Sequence, residues 1–163
     1  VSPANAMRNA LKEMERLKQE WNLEYEVCYE CTHHGPSLDV PTMFAELGSS
    51  PTQWKDLKAA EAVAHAAIKA ATSEERCTVA LGIGGPHYNA KFTRIALTED
   101  VAFGHMIPKH LVGVVDVEIL RQCIEKTLEK VELAILDWKG IRGADKQPLM
   151  EKLENVGLEI RKV

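Results

Sequence analysis

The run Cys77-Thr78-Val79-Ala80-Leu81-Gly82-Ile83-Gly84-Gly85-Pro86-His87-Tyr88-Asn89-Ala90-Lys91-Phe92-Thr93 constrains the fold more than any other stretch of the chain. An apolar segment carrying β-branched Val79 and Ile83 runs into paired glycines, and the spacing then changes from strand-like to helix-like. The pattern predicts a strand, a tight turn and a helix N-terminus. Such a junction presents free backbone N–H groups and the positive end of a helix dipole, so it can hold an anion or a developing oxyanion. With the helix beginning near His87, that residue, Lys91 and Arg94 share one face at i, i+4 and i+7, while Phe92, Ile95 and Ala96 pack the other. A plainer reading, a glycine turn with a solvated basic face, accounts for the glycines taken alone. The spacing is not a dinucleotide fingerprint, because His87 stands where the third glycine belongs, and no GK[ST] marks a P-loop.

Around this unit the periodicity alternates between helix and strand. Ser2-Pro3 reads as N-cap and N1 of an amphipathic helix over 3–21, with Met7, Leu11, Met14, Leu17 and Trp21 on its apolar face. A strand is expected over 23–32, with Val27, Tyr29 and Cys31 facing one way, and it ends in the turn His33-His34-Gly35-Pro36. A second strand is expected over 40–47, with Pro41 near its start. A long helix over 51–72 would bury Leu57, Ala60, Val63, Ala64, Ala67 and Ile68. After the central unit come a strand over 101–107, a helix marked by Val117, Leu120, Ile124 and Leu128, and a strand over 131–138. A loop with Lys139, Arg142 and Lys146 leads to a helix over 146–155 and a final strand over 158–163. This alternation implies an α/β fold with a mixed, mostly parallel sheet and helices on both faces. No repeat or shift in composition divides residues 1–163, so a single α/β domain is expected. The chain opens on Val1-Ser2-Pro3 and enters a helix at once, which reads as the C-terminal portion of a longer chain.

Composition narrows the functional classes. No apolar run approaches the roughly 20 residues of a membrane span, so no membrane partner is expected. Cysteines at 28, 31, 77 and 123 do not suggest a stapled secreted scaffold, and the expected setting is a reducing cytoplasm. A formal net charge of −4 argues against a broad nucleic-acid-binding surface, so a polyanion would have to be met by a local cationic patch.

Four of the six histidines, His33, His34, His87 and His105, fall at expected strand ends, where open α/β sheets form their ligand crevice. Glu30 and Asp39 flank the first two. A His–carboxylate group of this kind suits zinc, a general base or a buried hydrogen-bonded imidazole, and without HExxH spacing all three readings stand. His65 and His110 read as structural or surface residues. Cys28-x-x-Cys31 is discounted as a redox or zinc motif, because positions three apart on a strand face opposite ways and no second CxxC follows. No G-x-S-x-G marks a nucleophilic serine.

Longer blocks say more. Glu30-Cys31-Thr32-His33-His34-Gly35-Pro36-Ser37, then Pro41-Thr42-Met43-Phe44-Ala45-Glu46-Leu47-Gly48-Ser49 with Trp54 after it, closely resemble the D-aminoacyl-tRNA deacylases of the archaeal and plant type. So do Gly82-Ile83-Gly84-Gly85-Pro86-His87-Tyr88 with Lys91-Phe92-Thr93, then Gly104-His105 and Asp137-Trp138-Lys139-Gly140. The resemblance implies a fold like the phosphorylases and peptidyl-tRNA hydrolases, and an esterase that removes a D-amino acid from the 3′ end of tRNA. It also implies zinc as cofactor and a longer N-terminal part. Where plant-type members tend to carry Ala-Pro-Arg after the His-Tyr pair, this chain has Asn89-Ala90-Lys91, which keeps a cation but not a guanidinium.

On this reading His33, His34 and His87 are the catalytic candidates. Gly84, Gly85, Tyr88, Lys91, Arg94 and Lys139 would meet the substrate, and Glu30, His34, His87 and His105 would hold the metal. The protein would act as a monomer on D-aminoacyl-tRNA. Two alternatives are a phosphorylase-like or metal-dependent hydrolase of a small phosphorylated or nucleoside substrate, and a non-catalytic tRNA-binding fragment.

Overall fold

The computed structural model describes residues 1–31, 35 and 38–163. Strands β1 (Thr78–Ile83), β2 (Val101–Ile107), β3 (Val131–Leu136) and β4 (Glu159–Lys162) form one sheet in the order β2-β1-β3-β4, and every pairing is parallel. Helix α3 (Ala90–Thr98) connects β1 to β2, α4 (Val117–Glu125) carries the chain back past β1 to β3, and α5 (Gly143–Val156) leads on to β4. Because the step from β1 to β2 runs opposite to the later steps, right-handed crossovers put α3 on one face and α4 and α5 on the other.

The side chains of β1 show how both faces are filled. Val79, Leu81 and Ile83 point into one core with Leu120 of α4 and Leu149 and Leu153 of α5. Ala80 points into the other, with Phe92 and Ile95 of α3 and Leu11 of the N-terminal helix. Gly82, next on this second face, has no side chain because Phe92 occupies the space: a Cβ there would lie 2.7 Å from the ring. Phe92 in turn stacks on Phe103 of β2, with ring centroids 4.7 Å apart. The β1–β2 register shifts between Ala80 and Gly82, where two β1 steps oppose three of β2, and the extra β2 residue falls at Gly104-His105.

Two expected strands are not in the sheet, which is why it is wholly parallel and not mixed. Residues 40–47 form no regular structure; Pro41 offers no N–H, and the Thr42 N–H donates instead to the Val1 carbonyl at 2.9 Å. Residues 23–31 are extended, and Tyr29 and Cys31 are buried as their alternation requires, but this segment pairs with the turn after β1 and not with a strand. Thr32, at the end of the strand expected over 23–32, lies outside the described residues.

Helix α1 (Ala4–Glu20) lies where its apolar spacing predicts, but its N-terminus is capped differently. Ser2 donates its hydroxyl to the Gly104 carbonyl at 2.5 Å, and the helix is capped by Glu129, whose carboxylate accepts from Ala4 N at 2.9 Å and Asn5 N at 3.0 Å. Helix α2 (Leu57–Thr72) starts later than expected, at Asp56, whose carboxylate accepts from Ala59 N at 3.1 Å. It also buries a different face: Ala59, Ala62 and Ala66 pack inward, whereas Leu57 is 83% exposed and Ile68 61%. α2 packs on α1, and small side chains allow the two helices to approach closely.

The Gly82–Phe92 contact gives a stability test. Gly82→Ala should destabilise the fold by about 1–3 kcal/mol through overpacking. In a Phe92→Leu background the same change should cost less, as read from urea denaturation in a double-mutant cycle.

Candidate active site

In an open parallel sheet, neighbouring strands whose connections leave in opposite directions create a crevice at their carboxyl ends. Here those strands are β1 and β3, so the crevice lies between the turn 84–89 and the residues after Leu136. Gly84 and Gly85 form the turn with φ of 101° and 77°. Neither position has room for a side chain: a Cβ at Gly84 would meet the Asp137 backbone and side chain, and one at Gly85 the Asn89 carboxamide at 2.5 Å. Fully buried Asn89 locks the turn, donating from Nδ2 to the Gly84 carbonyl at 3.1 Å and accepting the Phe92 N–H on Oδ1 at 3.0 Å. It is the N-cap of α3, so His87 lies before the helix and not on its first turn. The expected face of His87, Lys91 and Arg94 is therefore reduced to Lys91 and Arg94.

The extended segment 28–31 fixes the outer side of the turn. Cys31 N–H donates to the His87 carbonyl and Asn89 N–H to the Tyr29 carbonyl, both at 2.9 Å, so that Glu30 and Tyr88 face one another as a non-hydrogen-bonded antiparallel pair. Tyr29 N–H donates to the Thr93 hydroxyl at 2.8 Å, and the ring packs edge-on against Phe103. With Tyr29 facing the core, alternation turns Glu30 outward, and its Oε1 lies 2.7 Å from His87 Nε2. Both side chains are about one-third exposed. The ring of Tyr88 stands edge-on to His87, with centroids 5.0 Å apart.

The anion-holding part of the turn is narrower than the sequence implied. The Gly84 N–H is spent on the Ile107 carbonyl at 2.8 Å, whereas the Gly85 N–H has no partner among the described residues. Lys91 is at the crevice, but its ammonium pairs with Asp137, a nearly buried residue immediately after β3. The exposed cations nearby are Lys109, whose backbone N–H donates to the Gly85 carbonyl, and Lys139, two residues after Asp137; Arg94 is exposed on α3, where its charge acts on Glu99 near the far end of the helix.

Three comparisons bear on this arrangement. A profile of the D-aminoacyl-tRNA deacylase family matches residues 1–161. The chain belongs to this family. Among relatives, the D-aminoacyl-tRNA deacylase of Pyrococcus furiosus is 42% identical over 159 residues, covering 97% of this chain and 57% of its own length. That of Methanosarcina barkeri is 40% identical over 163 residues, 99% of this chain and 52% of its own. The crystal structure of a conserved protein of unknown function, AF0625, is 34% identical with a TM-score of 0.89, over 98% of this chain and 57% of that one. The chain thus spans just over half the length of the curated deacylases it matches.

Of the expected metal ligands Glu30, His34, His87 and His105, the structure brings Glu30 and His87 together. His105 lies on β2, its Nε2 3.2 Å from the Lys126 carbonyl, and His33 and His34 lie outside the described residues. Among the described residues no three His, Cys, Asp or Glu side chains converge to hold a metal. The Glu30–His87 pair supplies two of the three or four donors that zinc takes from protein, and His34, a further expected ligand, lies outside the described residues. Burial pushes the Cys31 thiol up to about 11.

Two site residues escaped the sequence reading. Asp137 stood in a quoted block, and its position just after a strand at the crevice is the signal that could have singled it out. Asn89 reads as an ordinary polar residue until the turn closes around it. Tyr29 adds a hydroxyl that is buried with no partner among the described residues, and burial raises its pKa.

Burial lowers the pKa of His105, only partly offset by the Lys126 carbonyl. Above about pH 6.5 folded and unfolded chains both carry a neutral ring. As the pH falls through that value the unfolded chain binds the proton first, so stability is lost until the lower folded-state pKa is passed. His105→Gln should shrink the drop in urea midpoint between pH 7 and pH 5.5 relative to wild type.

Proposed function

We propose that the protein hydrolyses the ester joining a D-amino acid, such as D-tyrosine, to the 3′-terminal ribose of tRNA. It would work in the cytoplasm, as a monomer, with residues 1–163 contributing one catalytic domain. The observation that carries this reading is the Glu30–His87 hydrogen bond at the carboxyl end of β1, beside a glycine turn whose Gly85 N–H has no partner among the described residues. Membership of the deacylase family supports the substrate class. No described helix is long and apolar enough to cross a membrane.

A carboxylate oxygen can only accept a hydrogen bond, so the 2.7 Å contact places the imidazole proton on Nε2 and leaves the lone pair on Nδ1. That nitrogen takes a proton from the attacking water, and Glu30 steadies the imidazolium that results. As the ester carbonyl becomes tetrahedral, its oxyanion receives the Gly85 N–H; Gly84 takes no part, since its N–H is already bonded within the protein. The proton on Nδ1 then passes to the departing 3′ oxygen, which frees the amino acid and the tRNA. Aminoacyl esters are reactive, so one positioned base and one donor suffice for the chemistry. Lys109 and Lys139 meet the phosphates of the tRNA end, and Lys91 holds Asp137 against the turn. His33 and His34 remain candidate bases beside His87, and any zinc would need a ligand from among them; no step above passes through a metal.

His87→Ala should lower kcat for D-tyrosyl-tRNA by about 10²-fold or more, and Glu30→Gln by a smaller factor, with stability little changed. Single-turnover hydrolysis of D-tyrosyl-tRNA checks this, with L-tyrosyl-tRNA as the control. Wild-type rates in His87→Ala would exclude His87 as the base. Salt-sensitive tRNA binding without any turnover would favour the tRNA-binding reading instead.

A further inference from the structure

A cavity of about 510 Å³ is lined by Glu30 and, among the described residues, by none of the turn residues 84–89. Met7, Leu11 and Met14 form one wall from successive turns of α1. Phe44 and Met43 face it from the irregular segment 40–47, and His105 closes the side towards β2. We propose that this cavity receives the side chain of the aminoacyl group and favours large apolar or aromatic side chains. The inference rests on the deacylase reading above and extends it to the substrate's amino-acid end.

Continuity carries the argument. Glu30 both lines the cavity and bonds His87, so an ester poised at His87 lies one side chain away from the cavity mouth. The two halves of the substrate then separate naturally: the phosphates lie towards exposed Lys109 and Lys139, and the amino-acid side chain turns the other way, past Glu30. The volume falls within the usual range for small-molecule sites, of order 300–1,000 Å³, and exceeds what an alanyl methyl group could fill.

The wall chemistry selects in the same sense. Thioethers are polarizable and unbranched, so Met7, Met14 and Met43 can close around rings of different shape and make favourable sulfur–aromatic contacts. The bulge at Gly104-His105 re-aims β2 at this point and brings His105 onto the lining. Glu30, Glu46 and Lys126 also reach the lining, so the apolar contact comes from the methionines, Leu11 and Phe44. A small side chain would leave this surface uncovered, which predicts a weaker grip on D-alanyl than on D-tyrosyl esters.

The test reduces the cavity from each wall separately. Met14→Trp and Met43→Trp are made in the intact protein, with Met14→Leu as a size-conserving control. Values of kcat/KM are then measured for D-tyrosyl-tRNA and D-alanyl-tRNA. Each tryptophan variant should lower the value for D-tyrosyl-tRNA about tenfold or more while that for D-alanyl-tRNA stays within about threefold, and Met14→Leu should leave the ratio near wild type. Equal losses on both substrates, or no loss on either, would overturn the assignment of the cavity while leaving the deacylase reading intact. Failure of the wild type to turn over any D-aminoacyl-tRNA would overturn that reading and this assignment with it.

Discussion

A carboxamide buried beyond the reach of water must find protein partners for both its dipolar ends, and Asn89 finds both in the turn it helps to close. Its oxygen caps α3 and its nitrogen holds the Gly84 carbonyl, so the helix and the strand end cannot move independently. The glycines follow from this arrangement: the positive φ values bring the backbone close to Asn89 and Asp137, and any Cβ would push one of them away. His87 is carried on the stretch between those anchors. Its backbone carbonyl and the Asn89 N–H are bonded to the 29–31 segment, so the imidazole meets Glu30 because both main chains are already tied together. The side-chain pair is a consequence of backbone geometry fixed elsewhere.

The same economy governs the N-terminal helix, which reaches the sheet through polar groups as well as apolar ones. Glu129 satisfies the first N–H groups of α1 from a loop far along the chain. Arg8 lies almost buried, with Nε donating to the Ala96 carbonyl at 3.0 Å and Nη2 to the Glu99 carbonyl at 2.8 Å. A cation on the last carbonyls of α3 complements the negative end of that helix. One face of α1 is thereby held at both ends of its neighbours' backbone, which leaves Met7, Leu11 and Met14 at a fixed distance from the segment opposite. The cavity beside Glu30 exists because those contacts keep α1 in place.

Much of this architecture is visible in the sequence, and the rest is hidden for identifiable reasons. Strands β1 and β2 and the turn after β1 are strongly marked, since their residues are buried on both faces and bounded by glycine, proline or acidic residues. The alternation of Val27, Tyr29 and Cys31 correctly gives the buried side of an extended segment, but alternation reports which side faces the core and not what the backbone pairs with. The apolar face of α2 misleads because Leu57 and Ile68 outweigh alanine on any hydrophobicity scale, whereas close packing on α1 selects the smaller residues. Ser2 reads as a cap because serine commonly is one; the competing acceptor, Gly104, is over a hundred residues away. Of the candidate-site residues, Glu30 and His87 belong to distinctive blocks, but their contact depends on two segments 57 residues apart meeting across the turn. Asp137 and Asn89 owe their importance wholly to burial, which no local pattern announces.

Charge raises an apparent difficulty for a protein of net charge −4 that is proposed to act on a polyanion. The distribution resolves it. On α1, Arg16 pairs with Glu13 and Glu20 and Lys18 with Glu15, while Arg8 and Lys12 pair with Asp100 and Glu75, so that helix has its cations matched by carboxylates. At the carboxyl end of the sheet the balance differs. Asp137 is neutralised by Lys91 and Asp145 by Arg142, while Lys109 and Lys139 are exposed there. Lys146 and Lys162 lie over the Trp138 ring, at 4.8 and 4.1 Å from its centroid. Screening confines surface charges to about 8 Å at physiological ionic strength, so a phosphate at this end responds to the nearby lysines and hardly to the acidic remainder. Net charge therefore sets the solubility and the long-range repulsion of the molecule, and the local excess of lysine decides which end a polyanion can approach. That end is also where the glycine turn and the His87–Glu30 pair open.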